Sequence, residues 1–197
     1  MNDFPSLKNH FLIAMPTLLD PNFYQSVTYI IEHDEQGAMG MVINHPLEVN
    51  FDTLFAQLDI PLVKPKSNSN SKNDGFIGNK KVISGGPVHI ERGFIIHSPE
   101  GEWEATMMLS DDIAVTTSQD ILTAISKDEG PTDLEVILGY AGWEAGQLDQ
   151  EILDNSWLSV KATPEILFHT PHDKRWKAAA KLIGIDISKL SSETGHG

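Results

Sequence analysis

Two glycine-rich segments and a scatter of histidines are the places where this chain could do chemistry. Gly139, Gly142 and Gly146 surround Trp143, and Gln147 and Glu151 follow. A strand–glycine turn–helix unit leaves backbone N–H groups free at the helix N-terminus, which suits an anion. The spacing of these glycines is not that of a dinucleotide-binding turn, and no Lys-Ser/Thr follows Gly146 to make a P-loop. Glu144, Asp149 and Glu151 crowd the same positive end and would repel a phosphate at short range. Two readings remain. In one, the glycines form a sharp turn from strand to helix, Trp143 packs and the acids steady the helix. In the other, Trp143, Gln147 and Glu151 line a polar pocket for a neutral ligand.

The second glycine turn is Ser84 followed by Gly85, Gly86 and Pro87. It could expose backbone donors, or it could be ordinary corner chemistry. Asn44, at the end of an apolar run, joins these turns as a candidate binding residue. His33, His45 and His97 sit near strand ends, and each could act as a general base beside a carboxylate. His97 is therefore kept in the candidate set. His169, His172 and Asp173 offer two imidazoles and a carboxylate, but a metal needs a further ligand fixed by the fold. Pro171 between the histidines favours an extended step, so no metal and no cofactor is expected. The chain has no cysteine and no Gly-x-Ser-x-Gly elbow.

The elements that must position these residues can be read from periodicity. Residues 11–15, 27–31, 38–43, 93–97, 107–109, 113–117, 134–138, 157–161 and 165–168 read as strands, and 82–88 as a strand that breaks into a turn. His33–Gly37 reads as a five-residue hairpin connection. Helices are expected over 51–58, over 119–126 with Ser118 as N-cap, over 147–155, and from Pro171 to Ile183 as the last helix, stopped by Gly184. On that helix Lys174, Lys177 and Lys181, with Arg175 beside them, mark a basic side, and Trp176, Ala180 and Ile183 an apolar one. Residues from about 64 to 79 begin with a polar Ser/Asn/Lys tract and read as a mobile loop inside the domain. Hairpins and helices without βαβ alternation favour α+β. The length of 197 residues suits one compact domain.

Charge narrows the function. The net charge is −14, and residues 100–154 hold fourteen acids against one base, Lys127. Arginine occurs only at Arg92 and Arg175. Gripping a phosphate backbone calls for a basic face, so direct nucleic-acid binding is disfavoured. No apolar run reaches the roughly 20 residues of a membrane span, and the early run at 11–15 is too short for a signal-peptide core. The cytoplasm is the expected compartment.

Ordered matches run nearly end to end: Leu12–Pro16, Asp20, Phe23, Glu32-His33, Gly37–Gly40, Val42–Asn44 and Pro46, then Gly85–Val88, Gly93-Phe94 and His97. They close with Leu138–Trp143, Gly146–Leu148, Glu151-Ile152 and Trp157-Leu158. In these the chain resembles the bacterial YqgE/AlgH family. It departs at Glu144, where the family commonly has a small residue, and in the longer polar tract near 67–73. The resemblance implies an α+β fold with a branched, partly barrel-like mixed sheet surrounded by helices, in a single compact domain. It implies no reaction. Family members are often described as transcriptional regulators through a genetic link to alginate control, which the resemblance carries over as a pathway association.

The leading expectation is a cytoplasmic binding or regulatory module with a protein or small-molecule partner. Its working surface would combine Asn44, Gly85, Gly86, Pro87, Trp143, Gln147 and Glu151. The alternatives are a hydrolase using His97 or His33 with a carboxylate, and a regulator touching DNA through Lys174–Lys181 and the Lys64–Lys81 loop.

Overall fold

The computed structural model describes residues 5–63 and 76–190. The fold is α+β, with a branched sheet in which the strands β4 (Pro46–Asn50) and β5 (Lys81–Ser84) leave the main strand path. The chain contributes to two compact units. The first gathers Met1–His45, Ser84–Arg92 and Leu138–Gly197, and the second Pro46–Ile83 and Gly93–Ile137. Two long strands, β6 (Val88–His97) and β9 (Leu134–Glu144), have one end in each.

In the first unit β1 (His10–Ala14) lies between β2 (Val27–Asp34) and β10 (Trp157–Lys161), and β3 (Gly37–Val42) follows β2. All these pairs are antiparallel, and β3 pairs the end of β9 from Gly37↔Glu144 to Gly40↔Ala141. Alternation along antiparallel strands gives the sheet two faces. One face carries Leu12, Ala14, Ile30, Ala141, Trp143 and Trp157, which pack with Leu148 of α3 (Gln147–Leu153) and with Phe23. The other face carries Phe11, Ile13, Val27 and Tyr29, all fully buried. Over β1, β2 and β10 that face lies against α4 (His172–Leu182). Trp176 of α4 fixes the contact by donating its indole N–H to the Ala14 carbonyl at 2.9 Å.

In the second unit β4 (Pro46–Asn50) pairs with β5 (Lys81–Ser84), and β8 (Ala114–Thr116) pairs with both β7 (Thr106–Met108) and the Ile95–His97 end of β6. Helix α1 (Phe51–Gln57) starts where Asn50 accepts the Thr53 N–H at 3.0 Å, an N-cap. It buries Phe51 and Phe55, while α2 (Asp120–Ser126) buries Ile121 and Ile125.

Several expected boundaries move. The β2–β3 hairpin is closed by Glu35-Gln36 alone, because β2 continues to Asp34. Residues 46–50, unassigned from sequence, form β4. The expected strand at 165–168 is a π-helical turn, Glu165–His169, started by Pro164 in helical conformation. Ser118 is not the cap of α2; Gln119 precedes the helix, and Ser118 donates its hydroxyl to Asp120. The Ser118 hydroxyl first, and after it the Glu104 and Ile121 N–H groups that Asp120 also accepts, lower the pKa of its carboxyl against the opposing effect of burial. α4 is not the last helix: beyond Gly184 the chain forms α5 (Ile187–Leu190). Of the polar loop expected at 64–79, residues 64–75 lie outside the described residues, and Ile77–Asn79 is a 3-10 turn.

Candidate functional site

The stretch from Gly139 to Glu144 is not a turn. It is the last half of the eleven-residue strand β9, and only Ala145-Gly146 turns the chain into α3. Gly146 needs its glycine for conformation, with φ 72° in the left-handed region and open space around it. Gly139, at φ +75°, is both twisted and crowded, since a Cβ there would stand 2.6 Å from the Gly86 carbonyl oxygen.

Trp143, Gln147 and Glu151 do come together, and Glu151 organises them. One carboxylate oxygen accepts both indole N–H groups, from Trp143 at 2.9 Å and Trp157 at 2.8 Å. The other accepts the Gln147 amide at 2.9 Å, and the Gln147 carbonyl accepts the Glu144 N–H at 2.9 Å. The two indole rings meet edge to face, and Phe23 packs on both. Asp149 faces the buried His33 at 3.5 Å. His33 Nδ1 accepts the Leu7 N–H, so its proton sits on Nε2 toward Asp149. The acids of α3 thus bind specific donors as well as sitting near a helix start.

Gly85 and Gly86 meet the same strand from another side. The Gly85 N–H donates to the Leu138 carbonyl, and the Gly85 carbonyl accepts the Val42 N–H, both at 2.8 Å. At Gly86 (φ +149°) an added Cβ would lie 2.4 Å from the Tyr140 backbone. These glycines let two backbones touch. Pro87 is exposed beside them. Asn44 clamps the approach to β2: its carbonyl accepts the Val27 N–H at 2.7 Å and its amide donates to the Gln25 carbonyl at 2.9 Å. His45 adds a third tie by donating Nε2–H to the Tyr24 carbonyl, and burial lowers its pKa.

His97 belongs to the second unit and is 1% exposed. Its Nδ1–H donates to the Ser98 carbonyl at 2.6 Å, so Nε2 is the lone pair that accepts the Thr116 hydroxyl at 2.8 Å. Burial lowers its pKa, the Ser98 bond and the charge of Glu100 opposing the shift. Arg175, counted with the basic side of α4, is buried and donates to the Thr170 and Ile43 carbonyls, leaving Lys174, Lys177 and Lys181 on that surface. Among the described residues no cluster of three or more His, Asp or Glu could hold a metal.

Residue spacing did not single out the opposite face at the β3–β9 end. The register places Glu32, Met39 and Gly142 in one row and Asp34, Gly37 and Glu144 in the next on that face. Glu32, Asp34, Gly142 and Glu144 are exposed. A depression of about 240 Å³ lies here, lined by Glu32, Asp34, Gln36, Gly37, Ala38, Met39 and Trp143. Alternation within the hairpin could have revealed it, had the β-bulge between Ile30 and Glu32 been visible. Among the described residues no helix is long and apolar enough to cross a membrane.

A family model described as AlgH-like matches residues 11–188. A UPF0301 protein of Thioalkalivibrio sulfidiphilus is 50% identical over 188 residues, 95% of each chain. A UPF0301 protein of Vibrio parahaemolyticus is 46% identical over 191 residues, covering 97% of this chain and 99% of its own. The solution structure of the AlgH protein from Pseudomonas aeruginosa superposes with a TM-score of 0.75 at 43% identity and full coverage of both chains. A crystal structure from Corynebacterium diphtheriae, at TM-score 0.71 and 19% identity over 97% of this chain and 94% of its own, shares the fold.

Proposed function

Because the chain belongs to the AlgH-like family, we propose that it works as a cytoplasmic binding module. Its contact surface is the exposed β3–β9 face, held in place by the Trp143–Gln147–Glu151 cluster behind it. One observation carries the reading. A glycine inside a strand costs about 0.5–1 kcal/mol relative to alanine. Gly142 meets neither of the usual needs for one: its φ lies outside the left-handed range, and an added Cβ would touch only the Tyr140 ring edge, at 3.8 Å. An exposed strand glycine that the fold itself does not require fits a site where another backbone or a ligand comes close. The candidate residues Asn44, Gly85, Trp143, Gln147 and Glu151 commit hydrogen-bonding groups inside the first unit, and Gly86 leaves no room for a Cβ beside the Tyr140 backbone. Their part in this reading is to fix β9 and its neighbours; Pro87 stands at the border.

The chain contains no cysteine, so Gly142→Cys creates a unique attachment point. A photo-crosslinker there should yield a defined adduct in cells, competed away by excess unlabelled protein. The same probe at Asp111→Cys, in the second unit, should not. Identical products from both positions would sink the reading. Cell fractionation tests the compartment.

A further inference from the structure

We infer that the β3–β9 face receives an extended, lysine- and arginine-rich segment of a partner protein; this rests on the binding-module reading above. Three carboxylates, Glu32, Asp34 and Glu144, rise from two adjacent rows of the face. Among the described residues no salt bridge reaches any of them. Between them the floor is low, because Gly37 and Gly142 carry no side chain and Met39 is half-buried. The geometry suits a strand-like ligand. Glu32 and Asp34 are two residues apart on β2, and residues two apart along a strand lie about 6.8 Å from one another. A ligand with a base at every second residue repeats at that same distance. The aliphatic stems of lysine or arginine would lie along Met39 while their charges reach the carboxylates. A second copy of this chain, at net charge −14, brings mainly the wrong sign.

The experiment uses the full chain, isotopically labelled, with three synthetic peptides of one length. One alternates lysine with leucine; the others put glutamine or glutamate in place of each lysine. The lysine peptide should bind and first move the amide signals of Met39, Gly142 and Glu144. Glu32→Gln, Asp34→Asn and Glu144→Gln should each weaken it about 1.5- to 5-fold, the range of an exposed ion pair, and together about 3- to 100-fold. Asp111→Asn with Asp112→Asn removes two charges from the second unit and should leave binding unchanged. Equal weakening by that control pair, or shifts confined to other surfaces, overturns the inference. If the glutamine peptide binds the face equally well and Gly142→Thr blocks it, the cationic preference falls and the binding surface stands. If no peptide moves the face and crosslinking at Gly142 is also blank, both fall.

Discussion

Removing the Glu151 carboxylate should unmake the corner that holds β9, β10 and α3 together. In Glu151→Ala the indole N–H groups of Trp143 and Trp157 lose their shared acceptor, and their side chains are 7% and 3% exposed at the residue level. A buried donor left without a partner costs about 1–3 kcal/mol. Two of them give about 2–6 kcal/mol, with the low end reached if water enters from the half-exposed side of Glu151. For a chain of this size each kcal/mol lowers Tm by about 2–4 °C, so a fall of roughly 4–24 °C is expected. Glu151→Gln keeps one carbonyl oxygen that can accept from an indole, and should cost less than half as much. Urea unfolding followed by tryptophan fluorescence reads the quantity directly, because Trp143 and Trp157 report on the site. Replacing both tryptophans by phenylalanine removes the stranded donors, so Glu151→Ala in that background should cost under about 1 kcal/mol. The account is wrong if Glu151→Ala lies within about 0.5 kcal/mol of the parent, or if its cost is the same with and without the indoles.

Other outcomes follow from single residues. Gly86→Ala forces a Cβ into the Tyr140 backbone and should destabilise by about 3–5 kcal/mol, whereas Gly146→Ala meets open space and should cost only the left-handed penalty of about 1–2 kcal/mol; calorimetry that ranks them equally refutes the close-approach argument. Asn44→Ala strands the Val27 N–H and the Gln25 carbonyl, so it should cost about 1–3 kcal/mol and speed hydrogen exchange at Val27 before the rest of β2. His97 has a folded pKa below its ordinary 6.5. The unfolded chain therefore takes up the proton first, and the stability tied to neutral His97 is whole above pH 6.5 and lost as pH falls toward the lowered value. Stability of His97→Gln should change less over that window than the parent's, and parallel curves would contradict the assignment. Gly142→Thr, at an exposed, regular strand position, should leave Tm unchanged or raise it; a large loss would mean that the glycine serves the fold.

The α+β class was legible because strand-like and helix-like periods alternate without a βαβ rhythm, and burial in each element follows that local pattern. β10 lies where its β-branched and aromatic composition put it, at Trp157–Lys161. Glu165–His169 misled for the opposite reason: a short apolar run fits strand or helix, and Pro164 decided for a turn. The cluster of Trp143, Gln147 and Glu151 could be named from proximity in sequence, but the partner that completes it, Trp157, arrives through the pairing of β10 with β1.

What the sequence determined by itself is chemistry: a cysteine-free, acidic chain, poor in arginine, with glycines where backbones must twist. Only the tertiary structure decided what each of those residues faces. Gly86 and Gly142 are the same residue in similar company, yet a Cβ added at the first would stand 2.4 Å from the Tyr140 backbone and the second opens to solvent. The difference lies in strand register, and register is set by long-range pairing and by one extra residue near Ile31 that no local pattern announces.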